Sequence, residues 1–306
     1  MDHYSDTEQP GRLPRTARHL VVGAGQLGRA LERALTELRY PVRLIARREL
    51  DLAEPRAFDA LTQGETIDVV WLTAAVTGVD WCEANESAAM LVNAEAPGVI
   101  AEICAARGVR LVHFSTDYVF SGRHGDAIRN EPYREDDTPE PLSVYGASKL
   151  EGERRVLGAN PGATVVRTSG LYSVDGKCFF NAILEKARLG EPVHVVDDQI
   201  TSPTYADELA EWLARRFDQL PPGIVHLAAS GGVSWQRAAE AAFELAGIGR
   251  GKVIGITSAE IARPAQRPAY SVLGSRILPE LALSPVANWL EGLARWAVDK
   301  TGVRPT

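Results

Sequence analysis

Cysteine is scarce in this chain, and its placement limits the class of protein. The 306 residues include three cysteines, Cys82, Cys104 and Cys178. Their number is odd and they lie far apart, which argues against the disulfide framework of a secreted protein. We therefore predict reduced thiols and a cytoplasmic location.

Other features are missing as well. The six histidines are scattered without the spacing of metal ligands, so the sequence predicts no metal site. No apolar run approaches the roughly 20 residues of a membrane span, and we expect no membrane association. A formal net charge of −7 argues against nonspecific binding to nucleic acid. The polar residues 1–17 lack a secretory signal and are predicted to form a disordered lead-in.

What the chain does contain is an alternation of strand and helix patterns. Helical spacing of apolar residues covers 26–39 and about 84–106, and buried strands are predicted at 19–22, 41–46, 68–75, 109–115 and 163–169. This alternation predicts an α/β fold with a Rossmann-like, doubly wound parallel sheet. After about residue 175 the patterns become shorter and mixed, which predicts a smaller C-terminal α+β portion.

Two segments between these elements are distinctive. Residues 121–141 form a long loop rich in glycine, proline and acidic residues, and loops of this length are typically functional or mobile. Residues 226–235 are typical of a strand, a turn and the start of a helix, with Ser234 as its N-cap.

A glycine-rich turn follows the first predicted strand and opens the first predicted helix. Gly23, Gly25 and Gly28 form a G-x-G-x-x-G pattern. Such a turn lets the backbone approach a diphosphate, and the helix N-terminus supplies free N–H groups. The position in an alternating α/β chain favours a dinucleotide site over a glycine-rich turn without a ligand. We therefore predict an NAD(P)-binding domain over 18–174 and a mainly substrate-binding portion over 175–306, some segments of which return to the sheet.

Two arginines, Arg47 and Arg48, follow the second predicted strand, where NAD-selective sites usually carry an acidic residue. Guanidinium groups match the 2′-phosphate of NADP. We therefore predict NADPH as the cofactor, with NADH as the alternative. A solvated arginine pair on a surface loop is the other interpretation. Asp51 comes a few residues later and could instead contact the adenine.

Tyr145 precedes Lys149 by four residues, so on a helix the two share one face. A free tyrosine has a pKa of about 10, and a neighbouring ammonium group is expected to lower it. Tyr145 could then protonate a carbonyl oxygen as hydride reaches the carbon, while Lys149 holds the nicotinamide ribose. Ser115 and Thr116, at the end of the fourth strand, offer a hydroxyl to the same site. The spacing alone is common, and its other interpretation is two side chains on a surface helix.

Longer motifs carry a family resemblance: TAAVTGVDWCE (73–83), VNAEAP (92–97), FSTDYVFSG (114–122), VYGASKLEGE (144–153), RTSGLYS (167–173), VVDDQITSPTYADELA (195–210), HLAASGGVSW (226–235) and RPAYSVLGS (267–275). From about residue 19 to the C-terminus, the chain resembles the extended short-chain dehydrogenase/reductases and, within them, the dTDP-4-dehydrorhamnose reductase family. The Tyr–Lys motif is common to the superfamily. STDYVF, DDQ-x-x-SPT and RP-x-x-S-x-L are much narrower.

The resemblance implies a reductase that acts on the C4 ketone of a dTDP-linked 4-keto-6-deoxy sugar, with Thr116, Tyr145 and Lys149 as catalytic residues. It places the cofactor against Gly23, Gly25, Gln26, Leu27, Gly28, Arg47, Arg48, Asp51, Leu52, Ala74, Ala75, Thr77, Tyr145 and Lys149. It places the sugar nucleotide against Val79, Thr116, Asp117, Asn181, Gln199, Pro203 and Arg267. A guanidinium at Arg267 suits a diphosphate. For Asn181 and Gln199, hydrogen bonding within loops is an equal alternative.

Two departures from the family pattern bear on these expectations. The family usually has G-x-x-G-x-x-G, and the first spacing here is one residue shorter, which puts cofactor affinity or preference in question. The family also tends to carry a tryptophan after R-T-S, where this chain has Gly170. An aromatic side chain buries about 150–250 Å², so we expect a roomier sugar site and a hexose that differs from the rhamnose precursor. A sugar of an antibiotic or other secondary metabolite is the candidate class.

Alternatives in other classes stay open. One is an NAD-dependent nucleotide-sugar epimerase or dehydratase; dehydratases generally carry two acids after the strand-four threonine, whereas Thr116 is followed by Asp117 and Tyr118. Another is a non-catalytic, NADP-binding regulatory subunit, although such relatives tend to lose part of the catalytic set that is complete here. Monomer and homodimer are both compatible with the sequence.

Overall fold

The computed structural model describes residues 13–248 and 253–302. Residues 1–12, most of the predicted lead-in at 1–17, lie outside the described residues. The rest of that segment packs on the first strands: Ala17 is 2% exposed, and Arg15 lies over the ring of Tyr40, 4.9 Å from its centroid. The chain therefore contributes to the packed core from Ala17 onward.

The strands of the described chain are β1 (His19–Val22), β2 (Val42–Ile45), β3 (Val69–Leu72), β4 (Arg110–Thr116), β5 (Arg123–His124), β6 (Ala127–Ile128), β7 (Thr164–Thr168), β8 (Leu171–Tyr172), β9 (Val193–Val196), β10 (Ile200–Thr201), β11 (Thr204–Tyr205), β12 (Gly223–His226), β13 (Ala229–Ser230), β14 (Val233–Ser234), β15 (Val253–Ile256) and β16 (Val286–Asn288). Six of them form a sheet in the order β12-β7-β4-β3-β1-β2, with every neighbouring pair parallel. The winding direction therefore reverses between β1 and β3, as the predicted doubly wound sheet requires.

The helices are α1 (Gln26–Glu37), α2 (Ala57–Leu61), α3 (Val79–Ala84), α4 (Glu86–Met90), α5 (Ala96–Arg107), α6 (Val144–Ala159), α7 (Phe179–Arg188), α8 (Ala206–Arg216), α9 (Trp235–Leu245), α10 (Ile277–Glu280) and α11 (Trp289–Thr301). A π-helical turn, Leu91–Glu95, joins α4 to α5. The predicted helix over 84–106 is therefore α4, this turn and α5 in one run. Ser234 caps α9 as predicted, since its side chain accepts from the Arg237 N–H at 3.3 Å.

Helices cover both faces of the sheet, because its strands bury side chains on both sides. In β1 all four residues are buried, and alternate side chains enter different cores. Val21 belongs to the cluster with Leu31 of α1 and Leu213 of α8, whereas Leu20 belongs to the cluster with Ile100 of α5. Full burial of each such side chain contributes about 1.5–3 kcal/mol.

The sheet contains one strand that the sequence analysis did not assign to it. The predicted strands all form, and the first spans 19–22 as predicted. The additional strand, β12, pairs with β7 at one edge. Because α8 also packs on α1, through Leu213 and Leu31, two segments after residue 175 belong to the layers of the main sheet.

The smaller C-terminal part packs around its own apolar core. Strands β9 and β15 pair in parallel. Phe180, Phe243 and Trp296, from α7, α9 and α11, are each at most 1% exposed. Tyr172 and Tyr205, from β8 and β11, stack with ring centroids 5.6 Å apart and join the same cluster. The predicted α+β character of this region is confirmed.

One helical run is long and apolar enough to cross a membrane, by length and composition alone. It is the 22-residue run Glu86–Arg107. The expectation concerned an uninterrupted apolar run, and Glu95 and Glu102 interrupt this one. Buried core helices pass the same test, and Ile100, Ala101 and Cys104 lie in the cluster that includes Val156 of α6.

Candidate active site

A cleft of about 960 Å³ lies across the carboxyl ends of β1, β3, β4 and β7. It sits where the sheet reverses between β1 and β3, which is where open α/β sheets bind ligands. Residues at or just beyond all four strand ends reach its wall, among them Val22, Thr73, Thr116 and Thr168. The sheet topology thus places three hydroxyl-bearing side chains around one cavity.

The glycine turn between β1 and α1 forms one wall of the cleft. Gly23 has φ +116°, and a Cβ there would lie 2.7 Å from Ala74 Cα. A Cβ on Gly28 would overlap the carbonyl oxygen of Gly23, whereas a Cβ on Gly25 would meet nothing within 4 Å. Gly23 and Gly28 therefore let the turn close on itself, and Gly25 leaves open space.

Helix α1 begins without a side chain capping its N-terminus, because its N-cap residue is Gly25. The first-turn residues Gln26 and Leu27 line the cleft, so the free N–H groups and the positive end of the helix dipole lie at its wall. This arrangement suits the diphosphate of a dinucleotide.

The two predicted arginines differ in position. Arg47 lines the cleft with a side chain that is 85% exposed, and its Nη2 lies 3.3 Å from Asp51 Oδ2. Arg48 is not part of the wall. Only one member of the predicted pair is therefore placed to meet a bound cofactor.

The cofactor half of the predicted site otherwise converges on this cleft. The predicted residues that line it are Gly23, Gly25, Gln26, Leu27, Gly28, Arg47, Asp51, Leu52, Ala74, Ala75, Thr77, Tyr145 and Lys149. Arg29 and Arg33 of α1 and residues 175–178 also line it. The sequence analysis missed them because they lie in a helix interior and a loop outside the motifs that it used.

Helix α6 brings the Tyr–Lys pair to the same cleft. Ser143 caps it, since its Oγ accepts from the Gly146 N–H at 3.1 Å. A Cβ on Gly146 would overlap the carbonyl oxygen of Tyr118, and a Cβ on Gly152 would overlap that of Asn93. These glycines let α6 pack directly on neighbouring backbone, which fixes the helix face that carries the pair.

Burial sets the protonation of both members of the pair. Lys149 is 2% exposed, and burial lowers its pKa to about 8 while Glu153 opposes the shift. Burial raises the pKa of Tyr145 above its usual value, and a hydrogen bond with Thr116 opposes that shift. The expectation of a lowered tyrosine pKa is therefore wrong. Tyr145 stays protonated at neutral pH, which is the state that a proton donor needs.

Thr116, at the end of β4, is 6% exposed, and hydrogen bonds within the protein orient its hydroxyl. Its Oγ1 donates to Asp117 Oδ1 at 3.1 Å and accepts from the Tyr118 N–H at 3.2 Å. Asp117 is 2% exposed and also accepts from Ser169 Oγ at 2.9 Å. Burial raises the pKa of Asp117 to about 6, against hydrogen bonds from Ser271, Ser169 and Thr116. Asp117 thus orients Thr116 and is not part of the cleft wall.

Two buried polar atoms at the wall have no hydrogen-bond partner among the described residues: Thr168 Oγ1 and Gln26 Oε1. Thr168 is 5% exposed and lies opposite Thr116 in the β4–β7 ladder. An unpaired buried hydroxyl is costly unless a ligand bonds it. These atoms and the open space at Gly25 fit a bound dinucleotide. Thr168 could have been identified from the sequence, because it is a hydroxyl-bearing residue at the end of a parallel strand.

Most residues of the predicted substrate site do not line the cleft. Apart from Thr116, its residues lie outside this cleft wall: Val79, Asp117, Asn181, Gln199, Pro203 and Arg267. Asn181 Nδ2 donates to the carbonyl oxygens of Ser173 at 3.1 Å and Gly176 at 3.0 Å. Gln199 Nε2 donates to Ser258 Oγ at 2.7 Å. Both amides take the loop hydrogen-bonding role that the sequence analysis left open.

Arg267 is held rigidly at the start of α3. Its Nη2 donates to Asp80 Oδ2 at 2.7 Å and its Nη1 to Asp80 Oδ1 at 2.9 Å and to the Ala265 carbonyl oxygen at 2.8 Å. The bond to Arg267 is the first cause that lowers the pKa of Asp80. The guanidinium is therefore fixed at Asp80, in the first turn of α3.

Gly170 lines the cleft and has φ +53°, in the left-handed region. A Cβ there would lie 3.1 Å from Pro203 Cα. A tryptophan at this position would therefore meet both backbone strain and Pro203. Gly170 therefore permits the local backbone conformation, in addition to leaving out the aromatic ring of a tryptophan.

Asn93 is a site residue that the sequence analysis did not single out. It lies in the π-helical turn and is 0% exposed. Its Oδ1 accepts from the Val76 N–H at 2.9 Å, and its Nδ2 donates to the Val76 carbonyl at 2.9 Å and to Ser148 Oγ at 3.0 Å. It ties the cleft wall at Val76 to the residue before Lys149. The VNAEAP motif contained the signal for it.

Among residues 13–248 and 253–302, no group of three or more His, Cys, Asp or Glu side chains is placed to hold a metal ion. The three cysteines are free. Burial raises the pKa of Cys104 to about 12, so this thiol is not a nucleophile at neutral pH.

Known proteins match the chain over nearly its full length. Residues 18–301 match the family described as the RmlD substrate binding domain. A Streptomyces antibioticus protein named "Probable dTDP-4,6-dihydroxy-2-methyloxan-3-one 4-ketoreductase" is 40% identical over 280 residues, which cover 90% of this chain and 93% of that protein. The dTDP-4-dehydrorhamnose reductase of Mycobacterium tuberculosis strain H37Rv is 39% identical over 283 residues, which cover 92% of each chain.

A solved structure extends the similarity to the fold. The crystal structure of dTDP-4-dehydrorhamnose reductase from Bacillus anthracis, in complex with NADP, is similar with a TM-score of 0.88 and 31% identity. The match covers 93% of this chain and 99% of that one. It therefore spans the sheet and the C-terminal part together, and it confirms the predicted Rossmann-like fold.

Proposed function

Because the chain belongs to the dTDP-4-dehydrorhamnose reductase family, we propose that it reduces the C4 ketone of a dTDP-linked 4-keto-6-deoxyhexose with NADPH. The observation that carries the proposal is the presence of Thr116, Tyr145 and Lys149 in one wall of a cleft that also contains the glycine turn. The names of the relatives support the substrate class, and the NADP complex of a relative supports the cofactor. The reduced thiols expected from the cysteine pattern support a cytoplasmic reaction.

Tyr145 is the proton donor in this reaction. Its raised pKa keeps the phenol protonated, and the phenol shares the lining of the cleft with Thr116. Thr116 is oriented in turn by Asp117 and the Tyr118 N–H. As the phenol gives its proton to the sugar oxygen, the Lys149 ammonium stabilises the tyrosinate that forms.

Residues that line the cleft would hold the cofactor. NADPH, when bound, supplies the hydride for C4. The first turn of α1 holds the diphosphate, and Arg47 holds the 2′-phosphate. Lys149 holds the nicotinamide ribose, and Thr168 offers its unpaired hydroxyl beside Thr116.

Nicotinamide absorbance tests the proposal when purified protein is mixed with NADPH and dTDP-4-keto-6-deoxyglucose. Gly170 stands where the family tends to have a tryptophan, so the identity of the hexose is not determined. The assay therefore includes dTDP-4-keto sugars that are deoxygenated at C2 or C3. We expect NADPH oxidation with at least one of them, and the product gives the configuration at C4. Conversion of the sugar without net NADPH oxidation would favour an epimerase or dehydratase. NADPH binding without conversion of any sugar would favour a regulatory subunit.

The 2′-phosphate assignment predicts that Arg47→Ala raises the Kd for NADPH about tenfold and leaves the Kd for NADH unchanged. Hydrogen bonds to charged groups contribute about 1.5–3 kcal/mol, and solvent screening favours the lower end for a side chain that is 85% exposed. Calorimetric titration with both cofactors measures the effect. Arg48→Ala is the matched control, since it removes the adjacent arginine outside the wall. Equal effects of the two substitutions would contradict the assignment to Arg47.

The substrate assignment predicts that Arg267→Ala raises the KM for the sugar nucleotide about tenfold, because a fixed guanidinium contributes charge-assisted hydrogen bonds to a diphosphate. Initial-rate kinetics measure the effect. Arg276→Ala is the control: this side chain is 53% exposed and lies 3.8 Å from Asp136. An unchanged KM in Arg267→Ala would show that Arg267 serves the ion pair with Asp80 alone.

A further inference from the structure

A third side chain continues the line of Tyr145 and Lys149 along α6. Glu153 follows Lys149 by four residues, so the three share one face of the helix. Lys149 and Glu153 are each 2% exposed. A buried carboxylate beside a buried lysine needs further partners, because an isolated buried charge is costly.

Two strands of the sheet supply those partners. Glu153 Oε1 accepts from Ser115 Oγ of β4 at 2.5 Å and from Arg167 Nε of β7 at 2.8 Å. Its Oε2 accepts from Arg167 Nη2 at 2.7 Å. The guanidinium and the carboxylate form a bidentate pair that is 1% and 2% exposed. Such a pair fixes geometry as well as charge.

Arg167 is held on its other sides as well. Its guanidinium carbon lies 5.1 Å from the ring centroid of Phe120, and its Nη1 lies 3.4 Å from His226 Nε2. His226 Nδ1 lies 2.9 Å from the Gly274 carbonyl oxygen and 3.1 Å from that of Tyr133, so Nδ1 carries the proton and Nε2 accepts. The partner of the carboxylate is therefore fixed in place.

The titratable groups around Lys149 come from three elements: Tyr145 and Glu153 on α6, His113 on β4 and, behind Glu153, Arg167 on β7. Burial first, and then Lys149, hold the pKa of His113 well below its usual range, so this imidazole is neutral. Asp117 acts on Tyr145. The negative charge that opposes the effect of burial on Lys149 is therefore that of Glu153.

We propose that Glu153, fixed by Ser115 and Arg167 one helical turn from Lys149, is a positioning residue that keeps Lys149 charged. Its catalytic consequence rests on the proposed function, since the ammonium stabilises the tyrosinate left by proton transfer. The charge state of Lys149 does not depend on turnover and can be measured separately. Without the carboxylate, the buried Lys149 ammonium would lose the negative charge that opposes the effect of its burial.

A direct titration of Lys149 tests the inference. The chain contains five lysines, so protein labelled with ¹³C at lysine Cε gives few signals. The signal of Lys149 is identified by its loss in Lys149→Met. We expect it to titrate well before those of surface lysines, and Glu153→Gln to lower its midpoint by about one pH unit. The alkaline limb of the pH profile of kcat/KM should move down equally, because the ammonium is lost as pH rises through the pKa of Lys149.

Two further variants make the test decisive. Glu153→Gln leaves a buried guanidinium unpaired, which is destabilising. The double variant Glu153→Gln with Arg167→Gln replaces the ion pair by two neutral amides, so we expect it to retain the fold and also to lower the midpoint. Glu211→Gln removes a carboxylate that pairs with Arg295 outside the cleft, and it should leave the midpoint unchanged.

The outcomes separate the inference from the proposed function. An unchanged Lys149 midpoint in the folded variants, with only a lower Tm, would overturn the inference and leave Glu153 a purely structural role. A lowered midpoint supports the inference even where the wild-type protein oxidises no NADPH. The absence of NADPH oxidation would count against the proposed reductase function and not against the role of Glu153.

Discussion

Tyr145→Phe is expected to lower kcat by about a thousandfold, within the range of general acid catalysis. Phenylalanine keeps the ring, whose centroid lies 5.9 Å from that of Tyr118 in an edge-to-face contact. It removes the phenol hydroxyl that donates the proton in the proposed reaction. The Kd for NADPH is expected to stay unchanged, because Lys149 and the glycine turn remain. NADPH oxidation gives kcat, and titration of cofactor fluorescence gives the Kd.

Tyr40→Phe is the matched control for this substitution. Tyr40 is 9% exposed, packs on His19 with ring centroids 4.6 Å apart, and lies outside the cleft wall. It should leave kcat unchanged. If Tyr145→Phe retained kcat within about tenfold of wild type, the proton would have to come from another donor.

The chemistry of this pair was predictable from the sequence only in part. The spacing of Tyr145 and Lys149 defines a shared helix face, because helix periodicity is a local property. The direction of the tyrosine pKa is not local. It depends on burial first, and the groups that act on Tyr145 include Thr116, Asp117 and Cys82 from segments that precede α6.

The same distinction between local and distant information applies to the fold. The strands near the N-terminus were predicted because each is a short apolar run between helical patterns. In β12, Gly223–His226, only two residues are apolar, and the strand follows Pro221 and Pro222. Its place in the sheet comes from pairing with β7, which no local pattern shows.

The two halves of the candidate site differ for the same reason. The cofactor half depends on motifs at the ends of consecutive strands, whose positions the sheet topology determines. The substrate half depends on loops that meet across the chain. Asp80 and Arg267 pair although they are 187 residues apart, and Gln199 bonds Ser258 rather than the cleft.

Gly28→Ala is expected to disrupt the glycine turn and raise the Kd for NADPH about a hundredfold, which corresponds to about 2.7 kcal/mol. A methyl group there would overlap the Gly23 carbonyl oxygen and lie 2.9 Å from Thr73 Oγ1. Both belong to a closed turn, since Thr73 Oγ1 donates to the Gly23 carbonyl at 2.9 Å. Overpacking of this kind costs about 1–3 kcal/mol, so the Tm should fall as well. Calorimetric titration and a thermal melt measure the two effects.

Gly25→Ala separates cofactor contact from folding in the same turn. A methyl group on Gly25 meets no atom within 4 Å, so the Tm should fall only by the small cost of replacing an N-cap glycine with alanine. The methyl group lies in the open space assigned to the diphosphate, so the Kd for NADPH should rise. Gly28→Ala should therefore lower stability and affinity strongly, whereas Gly25→Ala should lower mainly affinity. If Gly25→Ala bound NADPH as tightly as the wild type, the diphosphate would not lie against this residue, and the assignment of the glycine turn would need revision.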